Sequence, residues 1–304
     1  MKDSELFVNN GKIYHLGLRP DQLAENIFVV GDPARADKVA AHFDSVEHRE
    51  QNREYVTRTG IYKEMPVTVI ATGIGTDNNE IALVESFGLN EFDLETREKK
   101  EHSRDITVIR LGTSGGPQKD IKEGTLAIGS YALGLDNTGM FYEFAHPDNI
   151  TKKIEEEAYR ILTDNTPDGS RFKGKIIPYA SKATSEVVSA LEKHVKGDYA
   201  VGITASASGF FAPQGREIPG LPITVPRLQE HLATLDINGL KVVNFEMESS
   251  LLFHLGRLMN YKCGTICPII ANRQTGKFLA DYSEAVERCI ETGLEAMLEL
   301  HKNK

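Results

Sequence analysis

Two glutamates flank one methionine in "NFEMESSLLF", Asn244 to Phe253, where the strand-like run "GLKVVNF" hands over to an apolar, helix-like run. A carboxylate at a strand end can accept hydrogen bonds from two neighbouring sugar hydroxyls, and Met247 can pack against the sugar ring between Glu246 and Glu248. Acids in the first turn of a helix, favoured by its dipole, account for the same pattern. Paired acids also serve glycoside hydrolysis, one as acid and one as nucleophile, but that chemistry depends on a carboxylate separation that spacing at a strand-to-helix junction does not give.

Three other clusters sit where strand-like runs end. "VVGDPARADK" places Gly31 after a strand and Arg35 at the start of a helix; glycine lets an anion approach the backbone, and arginine can grip it with two donors. An ordinary Gly-Asp-Pro turn with a surface arginine reads equally from these residues. In "VIRLGTSGGPQ", Arg110 interrupts an apolar strand and is followed by Thr113, Ser114 and two glycines. A buried arginine is costly unless paired, so a structural carboxylate or an anionic ligand must accept it, and the hydroxyl and glycine cluster leans toward phosphate. Neither the triphosphate loop nor the dinucleotide fingerprint is matched, which argues against ATP and NAD. Third, "ASASGFFAPQGRE" brings Phe210, Gln214 and Arg216 together: an amide matches the donor–acceptor edge of a heterocycle, and an aromatic ring can stack on its face.

These clusters need a scaffold that puts strand ends side by side. Short apolar runs at 26–32, 105–112, 124–133, 198–206, 241–246 and 263–270 alternate with helical patterns at 34–43, 150–163, 184–195, 246–259 and 282–302. Near-continuous apolar strands in βα order imply an α/β protein with a sheet covered on both faces. "EYVTRTGIYKEMPVTVIATG" reads as two antiparallel strands, so the sheet is expected to be mixed; "KIIPYA" is read as a further strand. The order of elements favours one domain over residues 1–304. The charge-dense stretch 89–105, "LNEFDLETREKKEHSRD", is expected to be an exposed helical insertion. In open sheets of this kind ligands bind beyond the carboxyl ends of the strands, where the clusters fall.

Composition narrows the partners. With 44 acidic against 35 basic residues, the net charge of −9 argues against a general nucleic-acid surface. No run approaches the roughly 18 apolar residues of a membrane helix, and the N-terminus lacks the apolar stretch of a signal peptide, so a cytoplasmic location is expected. Cys263, Cys267 and Cys289 lack the spacing of a disulfide framework or a zinc site and read as buried thiols.

Taken together, "VVGDPAR", "HREQNREY", "ATGIG", "IRLGTSGG", "VGITASASGFFAPQGRE" and "NFEMES" occur in the order found in the uridine phosphorylases, and the chain resembles that family within the nucleoside phosphorylase superfamily. The resemblance implies a three-layer α/β/α fold with a mixed, partly barrel-like central sheet. It implies reversible phosphorolysis of uridine, and of deoxyuridine or thymidine as further substrates, to uracil and the sugar 1-phosphate. Carried over residue by residue, Gly31, Arg35, Arg110 and Thr113 would bind phosphate. Arg53 would reach the phosphate, and His15 the ribose 5′-hydroxyl, of a neighbouring subunit. Met247 and Glu248, supported by Glu246, would hold the ribose; Phe210, Gln214, Arg216 and Arg273 would form the base site. A homo-oligomer follows, with a dimer as the minimum and a hexamer as the larger assembly of the family. No cofactor is implied beyond phosphate as co-substrate. Some relatives hold a monovalent cation through a glutamate matching Glu54, but the serine ligand of that site is Asn78 here.

The rival readings are a purine nucleoside phosphorylase or a hydrolytic nucleosidase of the same superfamily, and a non-catalytic nucleoside sensor on the same fold. "PIIANRQ" lacks the aspartate that purine enzymes of the superfamily place after the late strand, and a hydrolase would not need three phosphate arginines.

Overall fold

The computed structural model describes residues 1–304. Fourteen strands and seven α-helices alternate along the chain. After a two-residue pair, β1 (Val8–Asn9) and β2 (Lys12–Ile13), come β3 (Asn26–Val30) and α1 (Pro33–Ala40), then β4 (Ser45–Asn52), β5 (Tyr55–Tyr62), β6 (Met65–Ala71) and α2 (Thr76–Glu91). The middle of the chain supplies β7 (Thr107–Leu111), β8 (Ser114–Gly116), β9 (Leu126–Gly134), α3 (Asn149–Asp164), β10 (Tyr179–Lys182), α4 (Ser185–His194) and β11 (Tyr199–Ser206). The last part holds α5 (Leu228–Leu232), β12 (Asp236–Ile237), β13 (Leu240–Glu246), α6 (Ser249–Leu258), β14 (Lys262–Asn272) and α7 (Ser283–Lys302).

All strands but the first two join one sheet in the order β10-β9-β11-β13-β8-β14-β7-β3-β6-β5-β4, with β12 beside β13. β3, β6, β7 and β14 run parallel, whereas β5 pairs antiparallel with both β4 and β6, so the sheet is mixed as the sequence implies. The turn between β5 and β6 is made by Lys63 and Glu64, both with positive φ, which suits a tight hairpin. β14 is long enough to pair with β7 at its start, β9 at its middle and β8 at its end. Its pairing with β9 closes β9-β11-β13-β8-β14 into a ring, the barrel-like part of the sheet.

Side-chain alternation on β14 shows how the faces are covered. A Cβ on Gly256 of α6 would meet Cys263, and a Cβ on Gly264 would meet Val187 of α4, so successive residues face helices on opposite sides. α2 packs on α6 on one side, and α4 on α7 on the other. One buried cluster spans α1, α2, α4, α6, α7 and the parallel strands; a second lies between α3, α5 and the outer face of β9, β11 and β13.

Three expectations shift. "KIIPYA" pairs only from Tyr179 onward, because Pro178 has no N–H to give a ladder. β4, "SVEHREQN", went unrecognised because it is the sheet's edge and its exposure alternates between exposed and half-buried, with no apolar face to read. The stretch 89–105 is not helical beyond α2, which ends at Glu91. Asp93 accepts from the N–H groups of Glu95 and Thr96 and from the Thr96 hydroxyl, a local turn that competes with helix. The rest is tied down by its own charges: Arg97 donates to Leu6 O at 2.7 Å and Lys100 to Leu89 O at 2.9 Å. Cys263, Cys267 and Cys289 are buried and unpaired.

Candidate active site

The carboxyl ends of β3, β7, β13 and β14 open onto one cavity of about 530 Å3. At one end, Asp32 caps α1 by accepting from Ala34 N at 2.9 Å, and Pro33 fits the first helical position. This turns Arg35, in the helix's first turn, back toward the sheet, where Nη1 donates to Leu111 O at 3.2 Å. The Arg35 side chain is 9% exposed and no carboxylate pairs with it. Gly31 lies beside it with Gly73 O 3.3 Å from where a Cβ would stand, and Thr113 and Ser114 complete this end.

Arg110, at the end of β7, is 6% exposed. Its Nε lies 3.2 Å from Glu246 Oε2, one Nη donates to Glu248 Oε2, and the other donates to Cys267 Sγ at 3.0 Å. The acceptor that a buried arginine demands is thus the carboxylate pair of "NFEMES". Burial works against the charge on Arg110, but Glu248 and Glu246 outweigh it and raise its pKa. Glu248 itself is pushed upward, by burial first and by the Glu246 charge, against the pull of Arg110. One guanidinium facing two buried carboxylates leaves the group a positive charge short, which is the physical reason for that direction.

The two acids do different work. Glu246 accepts from the N–H groups of Glu248 at 2.9 Å and Ser249 at 3.0 Å and from the Ser206 hydroxyl, so its oxygens cap α6 and hold Arg110. Glu248 accepts from Gly75 N at 2.7 Å, which joins it to the start of α2. Met247 lines the cavity between them.

At the far end, Gln214 ends the 3-10 turn Ala212–Gln214 and is 3% exposed. Its Oε1 accepts from Arg216 at 2.8 Å and from Arg273 at 3.5 Å. The Arg216 guanidinium stacks on Phe210, 3.6 Å from the ring centroid. Burial, with the nearby Arg273 charge, pulls Arg216 down to about 10, and burial also lowers Arg273. At about 10, Arg216 remains charged at neutral pH. Arg273 Nε is buried with no hydrogen-bond partner. After β14 the chain folds back, with Asn272 N donating to Lys277 O and Leu279 N to Ile270 O, both at 2.9 Å. That return sets Phe278 on the outer wall beside Ile270.

Of the residues singled out in the sequence, Gly31, Arg35, Arg110, Thr113, Phe210, Gln214, Arg216, Glu246, Met247, Glu248 and Arg273 line this one cavity. His15 and Arg53 do not. They share a separate surface, where Asn52 donates to Tyr14 O and His15 O, at 2.8 and 2.9 Å. His15 Nδ1 lies 2.7 Å from Glu85, and Arg53 lies over the Tyr14 ring with its side chain half exposed. Glu54 follows Arg53 at the β4–β5 turn and is also exposed. Sequence reasoning gave no site role to Asp32, Ile74, Cys267 or Phe278, which lie at the cavity or behind it. The Gly-Asp-Pro turn signalled Asp32; nothing local signalled Phe278.

The chain belongs to the Phosphorylase superfamily, whose family model matches residues 26–300. It is 30% identical to the uridine phosphorylase of Thermococcus kodakarensis over 271 residues, 88% of this chain and 80% of the relative. Against the uridine phosphorylase of Treponema pallidum it is 30% identical over 265 residues, 86% of this chain and 82% of the relative. Among solved structures, a Trypanosoma brucei nucleoside phosphorylase described as showing uridine phosphorylase activity superposes with a TM-score of 0.83 at 32% identity, covering 97% of this chain and 99% of that one.

Proposed function

We propose that the protein is a uridine phosphorylase, splitting uridine with inorganic phosphate into uracil and ribose 1-phosphate in a reversible reaction. The observation that carries this reading is Arg35: a guanidinium nine-tenths buried, facing the cavity without a carboxylate, calls for an anion from outside the protein. Arg110, Thr113 and Gly31 stand at the same end, and two relatives at 30% identity are uridine phosphorylases.

Phosphate held there attacks the anomeric carbon as the bond to uracil N1 breaks, with the electron pair passing into the base. The transition state resembles an oxocarbenium ion. Arg35 and Arg110 orient the dianion against the sugar, supplying proximity and charge stabilisation. Glu248, with one oxygen on Gly75 N and the other on Arg110, offers its remaining lone pairs to the ribose hydroxyls, and Met247 packs on the ring. Glu246 supports that position from behind through Arg110 and α6. At the base end, Arg216 and Arg273 can only donate. They suit the carbonyl oxygens of uracil and the negative charge that develops on them, and they have nothing to accept an exocyclic amino group. Deoxyuridine and thymidine present the same carbonyls and are further substrates on this reading.

The surface carrying His15 and Arg53 supports a homo-oligomer in which each chain completes its neighbour's site, with a dimer as the minimum and a hexamer as the larger assembly. The reaction so drawn requires no cofactor beyond phosphate, and a monovalent cation beside Glu54 would be an addition at that subunit contact.

The test is uracil release from uridine with and without phosphate. Release only with phosphate, with ribose 1-phosphate formed in equal amount, is the expected result. Equal release without phosphate would make the protein a hydrolase, and cleavage of inosine in place of uridine would move the substrate to purines.

A further inference from the structure

Cys267 has no part in the reaction as described, yet it holds one corner of Arg110. β7 and β14 pair in parallel with Arg110 opposite Thr265, so Cys267, two residues further along, shares the face of Thr265 and lies one pleat closer to the cavity. Its Sγ accepts from Arg110 Nη1 at 3.0 Å. Thr265 Oγ1 stands 3.7 Å from the same sulfur, near enough to exchange a weak hydrogen bond with the thiol. On the other flank the backbone of Gly112 passes close by: a Cβ there would stand 1.7 Å from Arg110 Nη1 and 2.6 Å from Cys267 Sγ. The guanidinium and the thiol therefore meet in a slot that only glycine leaves open.

The other two corners of the guanidinium, Nε and Nη2, are on Glu246 and Glu248. Cys267 is the only side chain that anchors Nη1, and it does so without adding charge. A third carboxylate there would add negative charge to a group already one positive charge short, where a dianion must bind; an apolar side chain would leave Nη1 without an acceptor. Burial pushes the thiol upward in pKa, so it stays protonated and neutral at physiological pH.

We infer that Cys267 is a positioning residue for phosphate: as a neutral acceptor on Arg110 Nη1 it fixes the rotation of the guanidinium while Nε and Nη2 stay on Glu246 and Glu248, so that the remaining N–H groups of Nη1 and Nη2 meet the phosphate. This rests on the phosphorolysis reading above.

The experiment compares wild type with Cys267→Ser, which keeps an acceptor in a slightly smaller side chain, and Cys267→Val, which loses the acceptor and is larger by about one methyl group. KM for phosphate and for uridine, kcat and the melting temperature are measured for each. Cys267→Val is expected to raise KM for phosphate about five- to tenfold, the size of one lost neutral acceptor on a charged donor, with KM for uridine within about twofold of wild type. Cys267→Ser is expected to keep KM for phosphate within about twofold. Equal KM for phosphate in wild type and Cys267→Val, or a larger loss in Cys267→Ser than in Cys267→Val, would mean that volume and not the acceptor matters, and would overturn the inference. Should Cys267→Val fail to fold, Cys267→Ala removes the acceptor without adding bulk, and a KM for phosphate equal to that of Cys267→Ser overturns it in the same way. Failure of the phosphorolysis reading itself is seen separately, as wild-type uracil release that does not depend on phosphate.

Discussion

The backbone N–H of Gly75 donates to Glu248 Oε1 at 2.7 Å, tying the start of α2 to the start of α6. Gly75 holds a φ of +102°, a conformation that a Cβ makes costly. Gly75→Ala is therefore expected to lower stability by about 1–3 kcal/mol. Because the N–H that orients Glu248 moves with the strained residue, KM for uridine should rise about tenfold while KM for phosphate changes less. Thermal unfolding together with the two Michaelis constants checks this. A stability loss with an unchanged KM for uridine would limit the contact to a structural role.

Arg35 makes the opposite trade. Its guanidinium is buried without an ion-pair partner, and its one hydrogen bond goes to a carbonyl. Arg35→Ala should raise KM for phosphate about 10- to 100-fold, the loss of one or two charge-assisted hydrogen bonds. The phosphate-free protein should be no less stable than wild type, since an uncompensated charge leaves the interior. Adding phosphate should raise the melting temperature of wild type and leave that of Arg35→Ala nearly unmoved, a direct readout by thermal shift.

What the sequence made legible, and what it left dark, follows from how local each signal was. β3, β7, β13 and β14 announce themselves as apolar runs because they are buried on both faces. β4 has no apolar face and β8 is "SGG", so both are strands only because neighbours hold them there. The site residues came mostly from strand ends, where a polar or glycine residue breaks an apolar run. For "NFEMES" the sequence offered sugar binding and helix capping as alternatives for both acids; the fold divides the work, Glu246 capping α6 and Glu248 facing the cavity. Cys267 stayed hidden because its partner lies 157 residues away. The stretch 89–105 misled because charge density says exposed but not helical, and Asp93 spends its carboxylate on a turn.

The base end predicts discrimination against amino groups. Arg216 and Arg273 converge on Gln214 Oε1, so the polar wall around it is made of donors. Cytidine, which differs from uridine by carrying an amino group where uridine has a carbonyl, should be cleaved at least about 100-fold less efficiently in kcat/KM, because a buried donor would face a donor. Arg216→Ala should narrow that gap by lowering uridine turnover more than cytidine turnover. Equal rates on the two nucleosides with the wild-type protein would remove the assigned role of the two arginines. Competition assays in one vessel give the ratio directly.

On the proposed reading, in which Glu248 holds the ribose, its carboxyl makes uridine binding sensitive to pH. Burial and the Glu246 charge raise its pKa above the ordinary glutamate value of about 4.3, against the opposing pull of Arg110. A raised carboxyl favours the neutral form in the fold, so its contribution to stability is present at low pH and is lost as pH rises through the folded value. Hydrogen bonds from ribose hydroxyls favour the ionised form. Uridine affinity, measured by calorimetry without phosphate, should therefore weaken as pH falls, with a midpoint above that of an unperturbed glutamate. Glu246→Gln removes one of the two causes of the shift and frees more of Arg110 for Glu248, so the midpoint should move to lower pH. Glu248→Gln should bind more weakly throughout and show no such midpoint. A Glu246→Gln midpoint that stays in place would mean that burial alone sets the titration of Glu248, and one that moves upward would reverse the electrostatics assigned to the pair.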